Sequence, residues 1–380
     1  MRATILAIIL LSGTLVATGC TNKVSTGDSS GPVKMSTFDV NKYAVNTTAC
    51  NPLSGGNPPT DPSAGIHATL SYLSSSQPRY SNVSDMINNG TPSKQDLFFT
   101  EINVPTRLFT EGFPLQSGGM IKDDLGNDLL EWFAIRFQGT VHLGPNDVEG
   151  DYQLGMLADD GAIMSLSNDV EGNNFQVVVN DDGTHPTMMD CGPTIQMTKD
   201  TSLAMRIDYY QGPRYHIALV PLWRPVNMST PRETLCGVSG NNAFFDYNNN
   251  SAPLTNYIKL LADGWRPLNA ANYSVSPSTG YNPCVDGTAP GISNVAISYN
   301  VELNTVTVTW NTDIEATDQV LITNPDGTQT LTTSDNVLRT SHSVSLVGVL
   351  FRGETYTIQA VSISADLGKS IGAPITYTLP

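Results

Sequence analysis

Apolar residues along this chain recur at alternate positions, and turn signals cut the alternating runs into short segments. In SLAMRIDYYQ, from Ser202, residues Leu203, Met205, Ile207 and Tyr209 fall on one face and Arg206 and Asp208 on the other. In YHIALVPLW, Tyr215, Ile217, Leu219 and Trp223 share a face in the same way. GIHATLSYL from Gly65, EWFAIRFQGTVHL from Glu131, DYQLGMLAD from Asp151, AIMSLSND from Ala162 and FQVVVND from Phe175 are further strands. Such runs, spaced by Gly, Pro, Asn and Asp, predict an all-β antiparallel sandwich. Helical spacing is nearly absent. LTNYIKLLADGW, from Leu254, predicts one short helix, with Leu254, Ile258 and Leu261 in line.

After the linker DGTAPGISN, from Asp286, the alternation resumes in TVTVTW, SHSVSLVGV and ETYTIQAVSIS. DQVLITNPDGTQTLT, from Asp318, reads as a hairpin turning at Pro325-Asp326-Gly327. Residues 20–62 are rich in Ser, Thr, Asn, Gly and Pro and bury too little to fold alone. The expected layout is a leader over 1–19, a tether over 20–62 and a sandwich over 63–226. A loop-rich connector or cap over 227–288 and a second sandwich over 289–380 complete it.

Composition narrows the function. The chain of 380 residues carries a formal charge of −16, and charged residues make up 14%, well below the usual share of about a quarter. Phosphates would repel so acidic a chain, which excludes nucleic acid as a partner. Met1-Arg2, the apolar run Ile5 to Leu11 and small residues to Gly19 form a secretory leader, too short for the roughly 20 residues of a membrane span. Ala17-Thr18-Gly19-Cys20 resembles the bacterial lipoprotein box, which implies lipidation at Cys20 and a membrane anchor. Thr21, rather than Asp, then favours the outer membrane or cell surface.

The five cysteines agree with that reading. With Cys20 assigned to lipid, Cys50, Cys191, Cys236 and Cys284 allow two disulfides in three connectivities. Their layout favours Cys191–Cys236, at one end of the first sandwich, and Cys50–Cys284, which would join its two tails.

Two resemblances add to the pattern. Trp310, and Tyr356 preceded by Leu350, resemble the fibronectin type III or immunoglobulin-like sandwich, which implies a fold and little more. YQLGMLADDGAIMSLSND, VVVNDDGTHP and MRIDYYQGPRYHIALVPLW, in that order, resemble the protective-antigen domain family. Its hallmarks stand here as Asp159-Asp160-Gly161, as Asp181-Asp182-Gly183 with His185, and as Tyr210-Gln211-Gly212-Pro213 before Trp223. In lectin members of that family, a pair of Asp residues joined by a cis peptide holds calcium, and the calcium coordinates sugar hydroxyls. The resemblance therefore implies Asp159 and Asp160 as calcium ligands, with Asn180, Asp181 and Asp182 as the nearest candidates to complete a shell of hard oxygens. His185, Arg214 and Tyr215 are candidates to touch a ligand.

Plainer readings stand beside these. Asp-Gly is a preferred hairpin turn, and both ADDGA and NDDGT sit between apolar strands. His185 can simply pack against a neighbouring loop, and Arg214 and Tyr215 can be a solvated turn end. No catalytic constellation is visible. His67, His142, His185, His216 and His342 are scattered without metalloprotease spacing, and no G-x-S-x-G elbow occurs. The sequence thus predicts a non-enzymatic surface lipoprotein that binds glycans or polysaccharide through calcium in adhesion. The alternative is an envelope protein whose sandwiches dock protein partners without sugar or calcium.

Overall fold

The computed structural model describes residues 48–53, 58–115, 118–169, 172–213 and 216–380. The leader, Cys20 and most of the tether lie outside the described residues, as do Arg214 and Tyr215.

The first part of the chain is built from β1 (Thr48–Cys50), β2 (Ile66–Tyr72), α1 (Val83–Asn89), β3 (Thr91–Phe99), β4 (Val104–Leu108) and β5 (Phe133–His142). β6 (Gly150–Asp159), β7 (Ala162–Ser167), β8 (Gln176–Asp181), β9 (Met188–Met197), β10 (Ser202–Gln211) and β11 (His216–Val226) follow. Short elements then come as β12 (Phe245–Asp246), β13 (Ala252–Pro253), α2 (Thr255–Ala262), β14 (Arg266–Pro267) and β15 (Tyr273–Val275).

An eight-stranded sheet runs β1-β3-β2-β5-β10-β7-β8, with β15 also on β5. A five-stranded sheet runs β14-β11-β6-β9, with β4 also on β11. Between them the alternation read from the sequence becomes the core. Met205, Ile207 and Tyr209 of β10 and Ile135 and Phe137 of β5 face Ile217, Leu219 and Trp223 of β11 and Tyr152 and Leu154 of β6. Each such side chain contributes about 1.5–3 kcal/mol on burial. Residues 48–50, predicted to lie in the tether, instead form β1 parallel to β3. Composition misses this because the strand takes its partners from elsewhere in the chain.

The five-stranded sheet is covered on its outer face too. Leu157, Met189, Val220 and Leu222 pack there on Phe244, Phe245, Tyr257, Leu260 and Trp265 from the loop-rich segment after β11. α2 forms where a helix was expected, but with a different buried face. Tyr257 and Leu260 point inward, whereas Ile258 and Leu261 are 56% and 45% exposed. The larger aromatic ring wins the interior. α1, with only Val83 and Met86 buried, was not predicted; it covers Tyr210 and Ala134 on the outer face of the other sheet.

A buried polar knot fastens the cap. Glu233 Oε2 accepts from Trp265 Nε1 at 2.9 Å and from Arg224 Nη1 at 3.3 Å. The backbone amides of Thr234 and Leu235 donate to Oε1 at 2.8 and 2.9 Å. The structure pairs Cys191 with Cys236, tying β9 to the cap, and Cys50 with Cys284, as the sequence layout favours.

Beyond the linker lie β16 (Ile292–Asn300), β17 (Thr305–Ala316), β18 (Gln319–Thr323), β19 (Gln329–Leu331), β20 (Arg339–Val347), β21 (Thr355–Ile363), β22 (Lys369–Ile371) and β23 (Ile375–Thr378). They form a three-stranded sheet, β16-β17-β20, and a five-stranded one, β19-β18-β21-β22 with β23 on β21. Trp310 lies between them and donates to Ser362 Oγ at 2.9 Å. Tyr356 closes the other end by accepting from the Phe351 amide at 2.9 Å. The expected hairpin turns at Gly327, whose φ of 83° suits glycine.

Glu233→Ala would leave Arg224 buried without its carboxylate and Trp265 without an acceptor. We expect a loss of about 3–5 kcal/mol, read as a lower midpoint in urea unfolding. Glu233→Gln, which keeps an acceptor for Trp265, should lose less.

Candidate functional site

The three hallmark segments are crossings between sheets. Asp159-Asp160-Gly161 takes the chain from β6 in the five-stranded sheet to β7 in the eight-stranded one. Residues 182–187 lead back from β8 to β9, and the Gln-Gly-Pro turn leads from β10 to β11. The hairpin reading of ADDGA and NDDGT is thereby corrected, since β6 pairs with β9 and β11 and does not pair with β7. Register places the crossings at one end of the sandwich: Asp159 is opposite Ala218, Ala158 opposite Met188, and Ala162 opposite both Asp181 and Tyr209.

Close packing explains the glycine of the first crossing. A Cβ on Gly161 would stand 2.6 Å from both Gly183 N and the Tyr210 ring. The Asp159–Asp160 peptide is cis. Asp160 joins all three crossings: its Oδ1 accepts from the His185 amide at 3.2 Å and its Oδ2 from the Gly212 amide at 2.8 Å. Asp159 Oδ2 accepts from Thr187, through its amide at 3.1 Å and its hydroxyl at 3.4 Å. Tyr209 donates its hydroxyl to the Asp159 carbonyl at 2.6 Å, beside Gln211 Oε1 at 2.7 Å.

Asp181 differs from both. It is fully buried, and neither carboxylate oxygen has a hydrogen-bond partner. His185 Nε2 lies 3.4 Å from Oδ1 and 3.1 Å from the Asp181 carbonyl. Burial, followed by the charges of Asp190, Asp159 and Asp182, pushes the Asp181 carboxyl up to about 8. Burial, then the neighbouring Asp160, raises Asp159 to about 7. Asp160 is raised by burial and pulled back by the amides it accepts from.

The other predicted residues separate from this group. Asp182 accepts from the Val83 amide at 2.8 Å, at the start of α1. Asn180 is exposed, and its side-chain oxygen accepts from the Asp182 amide at 3.3 Å. His185 is a packed loop histidine that carries the amide bound by Asp160. Arg214 and Tyr215 lie outside the described residues.

Sequence reasoning missed Thr187, Tyr209 and Gln211 as polar partners. Tyr209 was read only for its ring, and nothing local marks where its hydroxyl ends.

Hard oxygen donors suit a calcium-class cation, and the two unpartnered oxygens of Asp181, beside Asp159, are what such an ion satisfies. Asp160 accepts on both oxygens, and Asp159 and Asp182 each accept on one, whereas the Asp181 oxygens accept no hydrogen bond. Among the described residues no group of three or more His, Cys, Asp or Glu side chains is placed to hold a metal ion.

No family model matches the chain, and no curated protein matches it. Solved structures do. The chain is similar to a PA14 sugar-binding domain from an RTX adhesin, at 19% identity over 42% of this chain and 89% of that one, with a TM-score of 0.30. It is similar to the PA14 domain of the MpAFP antifreeze protein, at 17% identity over 47% and 90%, with a TM-score of 0.33. It is also similar to the epithelial adhesin 9 A domain from Candida glabrata in complex with Galb1-4GlcNAc, at 14% identity over 51% and 98%, with a TM-score of 0.30.

Proposed function

We propose that this chain is an exported glycan-binding protein held at the cell surface. In this reading Asp159, Asp160 and Asp181 hold calcium, and the ion supplies open coordination positions for a pair of sugar hydroxyls. The observation that carries it is Asp181: a fully buried carboxylate among other carboxylates, whose oxygens accept no hydrogen bond and which has His185 Nε2 3.4 Å from Oδ1. An ion pair or a metal is the usual company of a buried charge. Two disulfides support maturation outside the cytosol. Lipidation at Cys20 and the use of the second sandwich as a fibronectin-like spacer belong to the same proposal.

A second reading has its own observation. With a pKa near 8, Asp181 is largely protonated at neutral pH and needs no cation. The sandwich would then serve as a docking surface for envelope proteins. Isothermal titration separates the two. The calcium reading expects saturable heat that Asp181→Asn removes while the fold persists; a flat titration of the unaltered chain overturns it. A glycan array probed with calcium and then with chelator should lose its signal in the second case.

The carboxyls also set a pH dependence. Asp159 and Asp181 keep their protons when folded at pH values where the unfolded chain has lost them, so the folded state binds more protons. Stability of the calcium-free chain is therefore fully present below the unfolded carboxylate value of about 4 and falls as pH rises. The fall runs through the folded values of about 7 and about 8. Thermal melts across that range should show it, and calcium should flatten it, because the ion binds the ionised forms.

A further inference from the structure

Phe98, His67 and Gln138 are register partners across β3, β2 and β5, and they form a row on the outer face of the eight-stranded sheet. The row lies well along β5 from Phe133, which pairs with Gln211 at the carboxylate end. Over it passes a strap, residues 276–283, leaving β15 on one side and reaching Cys284 on the other. The disulfide to Cys50 fastens the strap to β1, beyond β3. Asn282, fully buried, pins it again by donating to the Ala64 carbonyl at 3.0 Å and accepting from the Cys284 amide at 2.9 Å.

Strap and sheet flank an open cavity of about 380 Å³. The rings of Phe98 and His67 lie 4.9 Å apart along its floor, and His67 Nε2 meets Asp96 Oδ1 at 3.0 Å. Gln138, Tyr281 and Ser276 are among the other lining residues, with Ser276 Oγ bonded to Ser278 Oγ at 2.9 Å. No Lys or Arg is among the described residues that line it.

This lining selects a ligand class. Asp96 and a chain charge of −16 repel anions, and no Lys or Arg among the described lining residues offsets them. A purely apolar ligand would strip water from a carboxylate, an amide and hydroxyls without replacing their hydrogen bonds. A pyranose answers each group: its C–H face lies on the rings, its hydroxyl protons go to the carboxylate, and its oxygens accept from the Gln138 amide. We propose that the strapped cavity is a second saccharide site, one that takes a neutral sugar residue without any metal. It does not rest on the calcium reading.

The test is a glycan array of neutral, amino and acidic oligosaccharides, probed with the whole chain in EDTA, followed by titration of the strongest neutral saccharide. Binding should persist in EDTA and in Asp181→Asn. It should weaken by at least about tenfold in Asp96→Ala, the cost of a lost hydrogen bond to a charged group. Gln138→Ala, a neutral change on a sheet face, gives the same reading if Asp96→Ala fails to fold. Four results would overturn the proposal: no neutral glycan bound in EDTA, a preference for amino or acidic sugars, loss of binding in Asp181→Asn, or full affinity in the folded Asp96→Ala and Gln138→Ala variants.

Discussion

One carboxylate holds together the end of the first sandwich where the chain crosses between sheets. Asp160 sits on one chain crossing and takes an amide from each of the other two, His185 on one oxygen and Gly212 on the other. A charged acceptor makes stronger hydrogen bonds than a neutral one, so the three connections behave as a unit. The arrangement costs burial of carboxyl groups: burial comes first in raising Asp159 and Asp181, followed by the charge of Asp160 on the one and of Asp190 on the other. A cation there would strengthen the fold while creating a binding position, so ligand affinity and stability at this end are one linked quantity.

Much of this was legible in the order of residues, and the reason is burial on one face. β10 and β11 were readable almost to the residue because their inner positions must be apolar to face the opposite sheet. β3 and β9 were not. TPSKQDLFF is polar and outward over its first half, and MMDCGPTIQM is interrupted by Gly192-Pro193. α1 is too short to show a period and is set by its caps, Asn82 from within and Asp182 from far along the chain.

The site was legible in part for a related reason. Asp159, Asp160 and Asp181 could be named as candidates because the motifs that carry the resemblance to the protective-antigen family are short and contiguous. Their separate fates could not, since an Asp-Gly pair serves equally well in a hairpin or in a crossing between sheets. Sheet pairing is decided by residues tens of positions away, such as Ala218 and Met188. Asp182 shows the same limit: its partner, the Val83 amide, is 99 residues distant.

The cysteines connect these scales. Cys191–Cys236 fixes the cap over the outer face of the five-stranded sheet, which lets β11 be apolar on both sides without exposing a sticky surface. Cys50–Cys284 does something different, because the strap it fastens covers polar residues rather than a large apolar face. A cross-link is not needed there to bury a core; Phe98, Val275 and the two cysteines form only a small cluster. What the bond adds is a fixed wall facing Asp96, His67 and Gln138. Preorganised walls lower the ordering cost of binding, and that is the property a shallow site for a small polar ligand most requires.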